Sequence, residues 1–118
     1  MSADDTFTLY DLAVRVVEIN GHCTCGLSIG DGFFLRGGTL SLPDGQGFCV
    51  FALQSTLPLL PAKQRPLQPA DWMQTDARIQ CPDPACGLIM LVERTAQRLV
   101  RHDDVSATPL FADRVDTA

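Results

Sequence analysis

Five cysteines are the residues of this chain whose type and spacing could do chemistry. Four fall into two short loops, as Cys23-Thr24-Cys25 and as Cys81-Pro82-Asp83-Pro84-Ala85-Cys86-Gly87. Tetrahedral zinc takes four sulfur or nitrogen ligands, usually supplied in pairs by two tight loops, so these two pairs form one candidate ligand set, with His22 and Cys49 as alternates. The spacings are C-x-C and C-x4-C rather than the common C-x2-C, which weakens the zinc signal. A C-x-C pair equally suits another soft metal, Cu(I) or an iron–sulfur centre, because thiolates select soft ions. The plainer reading, of nearly equal weight, is that all five are buried thiols acting as small hydrophobes.

Cys49 has two readings of its own. At the start of a helix it would feel the positive end of the macrodipole and become the best nucleophile of the chain. One turn further in, aligned with Leu53 and Leu57, it would be core, and the register favours core. His22 adjoins the first thiol loop, where it is a ligand, a base or simply an exposed side chain. His102 stands beside Asp103 and Asp104 as a solvated charge cluster. The chain has no Ser/His/Asp set, phosphate-cradling glycine loop or H-E-x-x-H pattern; Gly37-Gly38 and Gly45-x-Gly47 suit hairpin turns. Asp83, between two prolines, is placed to cap its own turn.

The elements that must position these thiols can be read from periodicity. Phe7 to Ile19 predicts a strand in which Leu12, Val14 and Val16 alternate and Val17 and Ile19 continue on the opposite parity, implying a bulge near Val16-Val17 or burial on both faces. Asn20-Gly21 predicts a turn into the first thiol loop. Phe33-Phe34-Leu35 and Thr39 to Leu42 predict a hairpin across Gly37-Gly38, closed by a turn at Pro43-Asp44-Gly45. Phe48 to Leu57 predicts a short helix buried along Cys49, Leu53 and Leu57 and ended by Pro58 and Pro61. Pro61 to Pro69 reads as an irregular surface connection, followed by Trp72 pinning the loop onto the core. Asp76 to Cys81 alternates as a strand and Leu88 to Val92 is apolar on both parities, as in a strand covered on both sides; the two make a hairpin around the second thiol loop. Phe33, Phe34, Phe48 and Trp72 are expected to fill core rather than line a pocket.

Together these predict one α+β domain over residues 1–118, a mostly antiparallel sheet of about four to six strands that could close into a barrel, with one main helix. The core is expected over about residues 7–96, with a less ordered tail over 97–118. Composition narrows the function classes. A chain of 118 residues with 46% hydrophobic residues can close one core, and a net charge of −5 disfavours a nucleic-acid partner. No apolar run approaches the roughly 18 residues of a membrane span, and Met1 to Asp5 has no signal-peptide character, so a soluble cytoplasmic protein with free thiols is expected.

The order of these motifs resembles a numbered family of small uncharacterised bacterial proteins. The resemblance runs from about Tyr10 to Arg94. It rests on the initial strand, a cysteine before Gly30-Asp31-x-Phe33, a glycine-rich hairpin, Cys49 opening a helix, and Cys81-Pro82-Asp83-Pro84 before a strand ending in Glu93-Arg94. It implies a small α+β domain and a cysteine set, and no particular activity. The doubled thiols and the long proline-bearing loop depart from the pattern.

The function expected from the residues is a non-catalytic accessory or binding module holding zinc or another soft metal at Cys23, Cys25, Cys81 and Cys86. Two rivals remain open. One is a plain interaction subunit, a homo-oligomer or partner of a larger enzyme, using the apolar loop around Trp72. The other is a thiol-dependent redox protein or enzyme reacting through Cys49 or Cys81.

Overall fold

The computed structural model describes residues 5–110. In chain order it contains β1 (Thr6–Ile19), β2 (Gly32–Arg36), β3 (Thr39–Ser41), α1 (Val50–Thr56), α2 (Leu60–Lys63), a 3-10 turn (Trp72–Gln74), β4 (Arg78–Gln80), β5 (Leu88–Arg101) and α3 (His102–Val105). The strands form one open antiparallel sheet in the order β3-β2-β1-β5-β4. The expected α+β class with one main helix is therefore what the chain adopts, without closure into a barrel.

The sheet is organised by β1 and β5, fourteen residues each, paired along their whole length from Thr6↔Arg101 to Ile19↔Leu88. Two compensating irregularities interrupt the ladder. Val16 faces Met90 and Glu18 faces Ile89, leaving Val17 as the extra residue of a bulge on β1. Asp11 faces Ala96 and Leu12 faces Arg94, leaving Thr95 extra on β5. The bulge expected from the parity slip of Val17 and Ile19 is thus present. An extra residue on one strand advances it by one position, which is how an alternating pattern can change parity without leaving the sheet.

One face of the central region carries the core. Leu12, Val14 and Val16 of β1, Phe33 of β2, Ile79 of β4 and Leu88, Met90 and Val92 of β5 pack with Ala52 of α1 and Leu60 of α2. Phe48 meets Phe33 edge to face, with centroids 5.2 Å apart at 79°. Leu88 to Val92 is buried only at alternate positions, with Ile89 and Leu91 partly buried, so the run expected to be covered on both faces is one-sided. Phe34, directed to the other face by the pleat, is exposed.

Several expectations need correction where long-range packing overrode local pattern. The inward stripe of α1 runs through Cys49, Ala52 and Thr56, while Leu57 is exposed. Thr56 satisfies its buried hydroxyl by donating to the Leu53 carbonyl at 2.7 Å. Pro61 does not end helical structure but stands in the first turn of α2, where a missing N–H costs nothing. The connection after it is partly buried: Lys63 and Gln64 are both core-like, Gln64 donates to the Gly37 carbonyl at 2.8 Å and accepts from the Tyr10 amide at 2.7 Å. Arg94 reaches from β5 to the carbonyls of Lys63 and Arg65 at 2.9 and 2.8 Å and lies 4.1 Å over the Tyr10 ring. Trp72 is 62% exposed, and it is Met73 that pins this segment onto the core, with Asp71 capping the turn by accepting from the Met73 amide at 2.9 Å. Ordered structure also passes the boundary expected near residue 97. The second half of β5 pairs with the start of β1, and α3 follows. The last part of the expected tail, 111–118, lies outside the described residues. Among the described residues, no helix is long and apolar enough to cross a membrane.

Candidate functional site

Both thiol loops grow from the same end of the β1–β5 pair, and their backbones hold each other. After β1, the Asn20 amide donates to the Gly87 carbonyl at 2.9 Å, Gly21 to Cys86 at 3.0 Å and His22 to Ala85 at 3.1 Å. The chain expected to reverse at Asn20-Gly21 instead runs alongside the second loop before turning. The close approach depends on glycine: a Cβ at Gly21 would lie 2.0 Å from the Ala85 carbonyl oxygen. Gly87 sits at φ +62°, in the left-handed region that favours glycine, with its own Cβ position 2.9 Å from Asn20.

Each loop also has internal ties. The Cys86 amide donates to the Asp83 carbonyl at 3.1 Å and the Ala85 amide to the Asp83 carboxylate at 3.0 Å, so Asp83 caps the turn as its position between prolines suggested. The Cys81 amide donates to Leu88 at 2.9 Å, closing the base of the β4–β5 hairpin. In the first loop the Gly26 amide donates to Cys23 at 3.2 Å. Cys49 arrives from a third direction. It is the residue preceding the first turn of α1, with extended backbone, and it is also 7% exposed. Cys49 therefore stands at the helix start, not one turn in as its register with Leu53 and Leu57 suggested, and it is buried there all the same.

These three arrivals place all five cysteines around a single cavity of about 80 Å³, completed by Thr24, Phe51 and Asp83. Cys49, Cys81 and Cys86 are buried, Cys23 is partly buried and Cys25 is exposed at the mouth; none is in a disulfide. The thiols are near enough to one another to influence each other's ionisation, Cys25 with Cys49, Cys49 with Cys81, and Cys81 with Cys86. His22, the alternate nitrogen ligand, does not line the cavity. Among the described residues, no three His, Cys, Asp or Glu side chains already surround a common ion position.

The thiols differ in their readiness to ionise. Burial pushes Cys49 up, but the Ala52 and Phe51 amides and the thiols of Cys25 and Cys81 outweigh it, and Cys49 ends below the ordinary thiol value. Its neighbour Cys25 is raised, chiefly because its thiol bonds to Cys49. Cys86 is pushed up to about 11, first by burial, against the pull of the Leu88 amide and with a further push from the charge of Cys81. Among the described residues no lysine or arginine lines the cavity, and Asp83 adds a negative group. A second thiolate would therefore form beside the first with no cation of the protein to offset it.

Sequence spacing had put Cys23, Cys25, Cys81 and Cys86 together, and the fold places them on one cavity with Cys49 in their midst. Thr24 and Phe51 carried no signal of their own in the sequence beyond lying within two residues of a cysteine. No protein-family model, curated protein or solved structure matches the chain.

Proposed function

We propose that this chain is a small metal-binding accessory module whose five-thiol cavity takes one soft or borderline cation, zinc or Cu(I). The observation that supports the reading most directly is the convergence of five cysteines from three separate parts of the chain on a cavity of about 80 Å³ that, among the described residues, no basic side chain lines. Cys25, Cys49, Cys81 and Cys86 are the proposed ligands, one or two from each of the three converging segments, and Cys23, on the same cavity, is the fifth thiol able to replace the exposed Cys25. Each cysteine has one side-chain torsion, so gathering the sulfurs on an ion needs rotamer changes on a fixed backbone. The ion supplies the positive charge that the cavity lacks and displaces the thiol protons. A reducing cytoplasmic setting, absence of nucleic-acid binding and membership of the family with the Cys49 helix and Cys81-Pro82-Asp83-Pro84 pattern belong to the same proposal.

Elemental analysis of protein purified without chelator, paired with native mass, tests it. One zinc or copper per chain is expected, as is tetrahedral thiolate absorption on loading with Co(II). Reduced protein that holds no metal and gives no thiolate–Co(II) band would overturn it.

A second reading has one observation of its own. Exposed Cys25 and buried Cys49, the thiol whose pKa is lowered, line the same cavity, and a thiolate with a second thiol near it is what thiol–disulfide exchange requires. Rapid alkylation of Cys49 ahead of the other four in metal-free protein would favour it.

A further inference from the structure

Away from the thiols, the connection that the sequence presents as surface buries a lysine. Lys63, 5% exposed, donates from Nζ to the Met73 carbonyl, its one acceptor among the described residues for three N–H groups. It shares a cavity of about 190 Å³ with Arg94, Gln74, Met73, Ala77 and Val92. Arg94 uses Nε and Nη2 on two backbone carbonyls, which leaves donors of its guanidinium unspent. Neither cation is in an ion pair: among the described residues the salt bridges are Arg15–Glu93, Arg78–Glu18, Arg98–Asp11 and Arg101–Asp5. The nearby carboxylates are directed elsewhere, Asp71 to the Met73 amide and Asp76 to the Thr75 hydroxyl. Two like charges on one small cavity repel, and burying an ammonium without a counter-charge is costly unless something compensates. Burial first, then the charge of Arg94, lowers the pKa of Lys63, against smaller opposing effects of Asp76 and Asp71.

We propose that this cavity, between α2, the Trp72–Gln74 turn and β5, binds a small oxyanion, a carboxylate or phosphate group, through Lys63 Nζ and the Arg94 guanidinium. The anion neutralises the pair and accepts the spare donors of both. A cavity of this size admits the anionic head of a metabolite or the free ion and no large ligand.

The test is an NMR titration of the folded full chain with inorganic phosphate and, separately, acetate, at ionic strength matched with sodium chloride. Saturable shifts at Lys63, Gln74 and Arg94 are expected with at least one probe, and which probe saturates separates phosphate from carboxylate recognition. Lys63→Met should weaken that binding about tenfold or more, the loss of a charged hydrogen-bond partner. If Lys63→Met does not fold, Gln74→Glu, at the exposed rim, sets a negative charge against the ligand and should weaken binding severalfold while leaving the Lys63–Met73 tether intact. No saturable shift beyond chloride with either probe, or unchanged affinity in the folded variants, would overturn the assignment.

Discussion

Replacing Gly21 by alanine is the sharpest way to ask whether the two thiol loops are one unit. The added methyl would sit 2.0 Å from the Ala85 carbonyl oxygen and 2.9 Å from both the Ala85 carbonyl carbon and the Cys86 oxygen, all backbone atoms that no rotamer change can move. The loops must separate, and the three backbone hydrogen bonds between Asn20–His22 and Ala85–Gly87 stretch or break. At about 0.5 to 1.5 kcal/mol net for each of the three bonds, the cost is about 1.5–4.5 kcal/mol. That is a large part of the roughly 5–15 kcal/mol that holds a domain folded. In urea, with a slope of about 2 kcal/mol/M, the midpoint should fall by roughly 0.7–2.3 M. Gly38→Ala is the control, since a Cβ there meets nothing within 4 Å and the residue has no left-handed backbone. It should be neutral or stabilise by up to about 1 kcal/mol by restricting the unfolded chain. The same two proteins titrated with Co(II) report on the site: Gly21→Ala should lose thiolate absorption before it loses the sheet. A Gly21→Ala protein within about 0.5 kcal/mol of the parent, with unchanged Co(II) binding, would refute the claim that loop apposition builds the cavity.

Further outcomes follow from the same geometry. Cys49→Ser and Cys81→Ser should each lower Co(II) affinity by more than about 100-fold, the upper range for losing a mere supporting contact, whereas Cys23→Ser should cost far less; equal effects at all three, read by competition titration, would count against the ligand set. Cys86 is pushed up to about 11 from an ordinary 9.0, so its contribution to the stability of the metal-free protein should be fully present below pH 9 and be lost as pH rises toward 11. Urea midpoints across that window measure this, and bound metal should remove the loss. Met90→Ala, at a fully buried position of β5, should destabilise by about 2–5 kcal/mol, while Leu99→Ala on the same strand, 73% exposed, should stay within about 0.5 kcal/mol in the same assay. Trp72, the single tryptophan, should emit at long wavelength and be quenched freely by acrylamide in the folded protein, and a blue, protected emission would contradict its outward position.

What the sequence determined by itself is whatever depends on a few neighbouring residues. Alternation marks β1 and β4, Gly37-Gly38 marks the hairpin, the parity slip at Val17 marks the bulge, and Asp83 between prolines marks its own turn. Backbone sterics and local hydrogen bonds act within such spans, so the signals are on the page before any fold exists. The tertiary structure alone decided which surface each side chain would meet. It set Cys49 among the loop thiols, turned Leu57 and Trp72 outward, and drew Lys63 into the interior where Arg94 and Met73 receive it. Those outcomes rest on contacts between segments far apart in the chain, such as Asn20 with Gly87 or Lys63 with Arg94, and no local pattern of residue types records them.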